Sequence, residues 1–528
     1  LAATTFLVAP AMAANVPDGV TLAEDQSFTY RVLDEHSSVD PQIVEDVSGS
    51  EIVRDLFEGL LSQNADGELV GGVAIEWGAN EDNTEWTFTL RDDAMWSDGT
   101  PVTAGDFVYA WQRLVNPELA SPYAWFGELM SIENAGAIIA GEMEPSELGV
   151  EAVDDHTLVV HLSDPLPYFA AMTTHASTFP SPSWVIEEHG DQWTRPENIV
   201  TNGAYTLSEH VPQERSVRVK SDTYWDAENT VLETVTALII NDENQALTRF
   251  LAGELDRTEI PTGEYPRLAE EYPDTAISFP RLCTYYYNIN LRDAGPEALK
   301  DVNVRKALAY AIDRNVITDQ ILQGGQIPAY TFTPGSTANF EVPSVPFGEM
   351  TQAERDEMAV QLLEEAGYGS DNPLELSILY NTDEAHRELA TVIAQMWQQK
   401  LGVQTTLDNM EWNTFLDARG NGDFEVARAG WCGDNEASTF LDLMDTDSGY
   451  NDSAYSNSEV DDLLAEAKTM SDPSENYTQI EQIIAEDMPV LPLYHYAGVY
   501  MLNPQIQEWP VNNVEQNWYS KDLYRVAE

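Results

Sequence analysis

Basic residues are scarce in this 528-residue sequence: 25 Lys and Arg stand against 91 Asp and Glu, a formal charge of −66. A chain so poor in cations lacks the electrostatic footprint needed to bind nucleic acid or an anionic membrane surface, which excludes both as general partners. Cysteine is nearly missing too. Cys283 and Cys432 are the whole complement, and neither lies near the N-terminus, where a lipid anchor would need one. No apolar run approaches the roughly 18 residues of a membrane-spanning helix. Nor does the sequence contain a G-x-S-x-G elbow, an H-E-x-x-H, a C-x-x-C or a G-x-G-x-x-G, so no catalytic residue, metal set or cofactor is expected.

What is present points to an exported globular protein. With 43% hydrophobic and 10% aromatic residues the chain can fill ordinary cores, and its length calls for two or three domains. The acids are spread along the chain and not gathered in a tail. Adaptation to salty surroundings and attraction of cationic ligands both account for them, and the even spread favours the first. Leu1 to Ala14 (LAATTFLVAPAMAA) is a short apolar stretch ending in the small-residue pattern Ala11-Met12-Ala13. It reads as a signal peptide that has lost its basic start, the plainer alternative being a buried N-terminal strand. In an oxidising compartment two cysteines favour a disulfide over two buried thiols.

The first half alternates in short segments, such as Trp86 to Leu90 and Thr157 to Leu162, with a turn at Ser97-Asp98-Gly99 and a helix from near Thr103. His156 and His161, five apart in a predicted strand, fall on opposite faces and make no metal pair. The second half reads as α/β. Thr351 and Glu354 form a capping box ahead of Met358, Leu362, Leu363 and Ala366, and Gly367 ends that helix. An alternating strand (Leu374, Leu376, Ile378, Tyr380), a helix carrying Leu389, Ile393 and Trp397 that stops at Gly402, and a strand from Val403 to Leu407 make a β-α-β unit. Ligands collect at the carboxyl ends of such strands, and His386 stands there, in the first turn of the helix, where amide groups favour an anion.

Against the acidic background, Arg419 and Arg428 fall close together between Trp412 and Asn435. They read either as surface ion pairs or, with His386, as a receptor for a carboxylate, while Asp434 meets an ammonium. A zwitterionic peptide offers both ends.

The segments RAGWCGD from Arg428, LCTYYYNIN from Leu282, EWNTFLDAR from Glu411, RDLFEGLL from Arg54, WSDGTPVTAGDFVYAWQRLVNP from Trp96 and VRKALAYAIDR from Val304 carry a resemblance. Over essentially the whole chain past the signal-like stretch, the sequence resembles the periplasmic oligopeptide-binding proteins of ABC importers, extracellular solute-binding family 5. The resemblance implies an α/β, periplasmic binding protein-like fold, two lobes with a hinge and an additional domain, three domains in all. Residues 1–14 would be the signal remnant, 15–58 with 183–282 and 502–528 domain I, 59–182 domain II, and 283–501 domain III.

The resemblance also implies the function: a periplasmic, monomeric, non-catalytic component that captures short peptides between its lobes and delivers them to an inner-membrane ABC permease complex. An extended peptide would pair through its backbone as an added strand. Asp434 matches the position that pairs with the peptide ammonium. Arg428, Arg419 and His386 match the basic set that receives carboxylates. Trp412, Trp431, Tyr286 and Tyr123 match aromatic pocket positions, Glu45 an acid near the cleft entrance, and Cys283 and Cys432 the family disulfide. Two departures stand out: Asn288, where the family pattern has an acid, and Leu322, where it has a lysine near the pocket. Rival readings keep the fold with another ligand (a dipeptide, a murein peptide or a metal chelate), or make the protein a secreted hydrolase.

The acid excess carries a prediction of its own. In about 1 M salt the Debye length falls to about 3 Å and screens self-repulsion, so the melting temperature is expected to rise from dilute buffer to molar salt. A flat or falling melting temperature would count against a salt-adapted surface.

Overall fold

The computed structural model describes Ala14 and residues 16–338, 340–433, 436–468, 470 and 472–527. The signal-like stretch before Ala14, and Asp434, therefore lie outside the described residues. The chain forms two compact units: Leu1–Ile240 with Arg249–Thr258 and Leu502–Glu528, and Asn241–Thr248 with Glu259–Met501. Both mix helices and strands.

In chain order the first unit contains β1 (Ser27–Val32), α1 (Val47–Leu56), β2 (Ala74–Ala79), β3 (Glu85–Leu90), α2 (Ala104–Leu114), β4 (Val150–Asp154), β5 (Thr157–His161), β6 (Tyr205–Val211), β7 (Arg215–Lys220) and β8 (Thr234–Ile239). Here β1 pairs in parallel with β8, which continues antiparallel through β7 to β6. Phe28 and Tyr30 alternate inward on β1 and are fully buried. The rings of Trp518 and Trp509 lie 5.8 and 6.2 Å from Phe28. The two alternating segments read from the sequence are β3 and β5. They are neighbours in a separate antiparallel sheet of order β2-β3-β5-β4, with Trp86, Phe88 and Leu90 buried on one face. α2 starts after Thr103 in a capping box, Asp106 accepting the Thr103 N–H at 2.8 Å.

One expectation needs correction: His156 does not share a strand with His161. It occupies the turn before β5, where Asp154 accepts its backbone N–H at 2.9 Å. That side-chain-capped turn closes the β4–β5 hairpin.

In the second unit the elements are β9 (Ala276–Ile289), α3 (Val302–Ala311), α4 (Gln352–Glu365), β10 (Glu375–Asn381), α5 (Glu384–Leu401), β11 (Gln404–Met410), α6 (Trp412–Asn421), β12 (Val426–Cys432) and β13 (Val490–Leu502). Strand order is β11-β10-β12-β9-β13, with β11, β10 and β12 parallel and β9 antiparallel to both β12 and β13. The expected β-α-β unit is β10-α5-β11, with β11 running on to Met410. Thr351 caps α4 through Glu354. Gly367 and Gly402, at φ +88° and +72°, take up the left-handed backbone beyond α4 and α5. Leu389, Ile393 and Trp397 of α5 pack with Tyr285, Tyr287, Ile378 and Val426 in the main core, where the Trp397 indole donates to the Leu308 carbonyl at 2.9 Å. The opposite sheet face carries a smaller core of Leu379, Phe415, Ala418, Phe424 and Ala427 under α6.

In the first unit one buried charge pair crosses from helix to sheet. Arg218 of β7 donates to Asp55 of α1 at 2.8 Å, with side chains 0% and 1% exposed. Arg218 also donates to the Tyr30 hydroxyl, and Asp55 accepts from the Ser520 amide and hydroxyl. Removing one partner strands the other in low dielectric. Asp55→Ala is therefore expected to cost about 3–5 kcal/mol in denaturant unfolding, and the joint change Asp55→Leu with Arg218→Met much less. Equal costs for the single and joint variants would mean packing, not charge, dominates there.

Candidate functional site

Strand alternation places the key cation. On β12, Val426 and Arg428 face the main core while Ala427 faces the smaller one. Arg428 stands directly opposite Tyr287 on β9. Its guanidinium carbon lies 5.0 Å from the centre of the Tyr285 ring, within cation–π range. Nη2 donates to the Tyr496 hydroxyl at 2.9 Å, and Nη1 lies 3.4 Å from Asn381 Oδ1 at the carboxyl end of β10. The residue is only 9% exposed and its Nε is buried without a hydrogen-bond partner. Among the described residues no carboxylate forms an ion pair with Arg428. Burial disfavours the cation, but the facing hydroxyls of Tyr496, Tyr285 and Tyr494 outweigh it, and the guanidinium stays protonated.

His386 reaches the same face from the first turn of α5. Asp383 caps that helix by accepting the His386 N–H at 2.9 Å. The imidazole Nδ1 is 3.3 Å from the Tyr285 hydroxyl and 3.5 Å from Asp383 Oδ1. Burial and the positive charge of Arg428 lower the imidazole to about 3, against the pull of Asp383. At neutral pH the ring is uncharged, a hydrogen-bonding partner beside Arg428 and not a second cation.

Arg419 stands apart from this pair. It sits in the last turn of α6, on the opposite face, with Nε 2.7 Å from Asp452 Oδ2. The contact is a close ion pair whose N–H is not aligned as a hydrogen bond. Tyr286, one residue out of phase with Tyr285, also faces this side, buried edge-on against Phe332 at 4.9 Å. The basic set read from the sequence therefore divides into Arg428 with His386, joined through Tyr285, and Arg419, compensated by Asp452.

The two departures from the family pattern have local explanations. Asn288 places its amide 3.4 Å from Asp452 Oδ2 and accepts the Ser453 hydroxyl at 3.1 Å. An acid there would set a second negative charge against Asp452. Leu322, 8% exposed, packs in the main core.

Around this framework the other expected residues find separate places. Cys283 and Cys432, directly opposed on β9 and β12, form a disulfide across a Cα separation of 4.0 Å. The Trp431 indole donates to the Thr439 carbonyl at 2.7 Å and its ring lies 5.1 Å from Tyr450. Trp412 stacks on Phe415 at 5.9 Å. In the first unit, Tyr123 packs 4.7 Å from the His175 ring and 5.8 Å from Trp125. The half-buried Glu45 donates its backbone N–H to Ser37 Oγ. Sequence reading missed Tyr285, Tyr494, Tyr496, Asn381, Asp383 and Asp452. The alternation Tyr494, Tyr496 on β13 was the available signal. Tyr496 also borders a cavity of about 310 Å³ walled by Pro280, Tyr330, Pro334 and Val345.

Comparison with known proteins places this geometry. The family described as bacterial extracellular solute-binding proteins, family 5 middle, matches residues 68–452. The periplasmic murein peptide-binding protein MppA of Escherichia coli is 45% identical over 519 residues, covering 97% of this chain and 96% of that protein. The periplasmic oligopeptide-binding protein OppA of Salmonella typhimurium is 43% identical over 520 residues, covering 97% and 95%. Among solved structures, the Escherichia coli murein tripeptide binding protein MppA superposes with a TM-score of 0.94 at 44% identity, over 96% of this chain and 100% of that one. The Haemophilus influenzae OppA complex with RPPGFSPFR gives 0.92 at 38% identity, over 96% and 100%. The two-lobed peptide-binding-protein fold is thus the one the sequence leads one to expect. The chain belongs to the bacterial extracellular solute-binding proteins, family 5.

Proposed function

We propose that this chain is the substrate-binding component of an oligopeptide ABC importer, capturing short peptides and handing them to an inner-membrane permease without cleaving them. The observation that carries the proposal is Arg428: a desolvated, protonated guanidinium with no described carboxylate beside it. A buried cation costs several kcal/mol unless an anion accompanies it. Every peptide of suitable length brings one in its terminal carboxylate, and each charge-assisted hydrogen bond is worth about 1.5–3 kcal/mol. On this reading neutral His386 assists as a hydrogen-bond partner, Asp434 receives the peptide ammonium, and Arg419 with Asp452 holds the neighbouring wall. Trp412, Trp431, Tyr286, Tyr123 and Glu45 shape roomy side-chain pockets in which water fills unused space.

The protein would act in the periplasm as a monomer, residues 1–14 being the remnant of its signal peptide. The three-domain division belongs to the same reading. The separate β2–β5 sheet within 59–182 supports an appended domain II, while β9 runs unbroken through the boundary drawn at 282. A murein peptide is the second ligand to consider, because relatives named for murein peptides and for oligopeptides are almost equally similar, at 45% and 43% identity.

Calorimetric titration with free-ended linear peptides of two to five residues and with cell-wall peptides tests the proposal, with the peptides recovered afterwards for mass spectrometry. The expected result is one bound peptide per protein, recovered intact. Because His386 is held near 3, affinity should change by less than about twofold between pH 5.5 and 7, the range in which an ordinary imidazole titrates. Cleaved peptides would point to a hydrolase, and an acid-enhanced affinity abolished by His386→Gln would give the imidazolium the role assigned here to Arg428.

A further inference from the structure

Away from this site, in the first unit, the described residues bring together Glu35, His36 and His210, whose donor atoms all lie within 4.8 Å of one another. Glu35 and His36 lie on the turn beyond β1, and His210 near the end of β6, the last strand of its sheet, 175 positions along the chain from Glu35. A single carboxylate oxygen, Glu35 Oε1, is 2.9 Å from His210 Nε2 and 3.1 Å from His36 Nδ1. The two imidazole rings are 5.0 Å apart. The other oxygen, Oε2, accepts the Gln213 backbone N–H at 2.5 Å, which anchors the carboxylate. Side-chain exposure is 11% at Glu35, 9% at His36 and 29% at His210, so His210 is the most accessible of the three.

We propose that Glu35, His36 and His210 form a binding site for one divalent cation of the Zn²⁺ class. Two imidazole nitrogens and a carboxylate oxygen suit Zn²⁺, Ni²⁺ or Cu²⁺, whereas Mg²⁺ and Ca²⁺ take all-oxygen shells. Tetrahedral bonds of about 2.0–2.1 Å hold neighbouring donor atoms about 3.3 Å apart. The observed 2.9 and 3.1 Å need open by only a few tenths of an ångström, while the two imidazole nitrogens, within 4.8 Å of each other, need draw together by up to about 1.5 Å to share the ion. Three protein ligands leave a fourth position for water on the side of His210.

The ionisation states agree with that geometry. Burial alone would raise the Glu35 carboxyl, but the hydrogen bonds from His210 and the Gln213 amide, with the adjoining imidazoles, hold it below the usual carboxylate range. Burial lowers His36, against the pull of Asp46 and Glu35. An ion here would fasten the turn after β1 to the edge strand β6 and stabilise the first unit by mass action.

The test uses full-length protein stripped with a chelator and titrated with Zn²⁺ in excess Mg²⁺, which occupies the acidic surface. The expected result is one tight Zn²⁺ per chain and a rise in melting temperature. His210→Gln, at a half-exposed strand end, should keep the apo melting temperature, weaken Zn²⁺ binding by at least about tenfold and abolish that rise. His36→Gln should do the same to Zn²⁺ binding, and if it fails to fold His210→Gln alone decides. Zn²⁺ binding and stabilisation equal in wild type and His210→Gln, or no tight Zn²⁺ in wild type, would reduce the cluster to a plain Glu35–His210 ion pair and overturn the proposal.

Discussion

A protonated guanidinium enclosed by tyrosines sets the conditions for the candidate site. Arg428 is tolerated on β12 because Tyr285 lies beneath it, and Tyr496 and Asn381 take up two of its nitrogens. What these neighbours do not provide is a negative charge. Desolvation of such a cation is costly, so the arrangement is most stable when an anion arrives. The register of the sheet follows from the same need. Tyr285, Tyr287, Tyr494 and Arg428 must share one face, and a slip of one residue would turn the guanidinium to the other side. The disulfide between directly opposed Cys283 and Cys432 ties β9 to β12 in the register that keeps Tyr287 across from Arg428.

Local surroundings, not net charge, distinguish the two arginines. Both lie in a chain of formal charge −66, and both are 9% exposed. Arg419 has Asp452 at 2.7 Å and is electrically complete, while Arg428, among the described residues, is surrounded by dipoles and rings. The substitution of an amide for an acid at Asn288 fits the first arrangement, because a single carboxylate suffices for Arg419. On the proposed reading, the site's call for an anionic ligand rests on Arg428, with the neutral His386 beside it. At longer range the acidic surface sets solubility and salt response, and it contributes little to which atoms meet.

Much of the second unit was legible in the sequence. The capping box at Thr351, the stop signals at Gly367 and Gly402, and the periodicities of 374–407 are local physics, and the β10-α5-β11 unit follows them closely. His386 was correctly placed at a helix start after a strand, since that position depends on order along the chain alone. Its charge state was not legible, because burial against Tyr285 and repulsion by Arg428 come from tertiary packing. The split between Arg428 and Arg419 was hidden for a related reason. One is on a strand and the other on a helix, and only the assembled sheet shows that they face opposite ways. His156 was misread as a strand residue because Asp154 closes a turn within an otherwise alternating run. Glu35, His36 and His210 carried no motif, since His210 stands 175 positions along the chain from Glu35 and spacing rules act only over short range.

Peptide capture, as proposed, depends on a carboxylate meeting Arg428. The most direct measurement compares calorimetric affinities of peptides of two to five residues with free and with amidated C-termini, on wild type and on Arg428→Met. The predicted result is a peptide length at which amidation weakens wild-type binding by about tenfold or more, the loss of one charge-assisted contact, and at which Arg428→Met binds both forms alike. Equal affinities for free and amidated peptides at every length would contradict it.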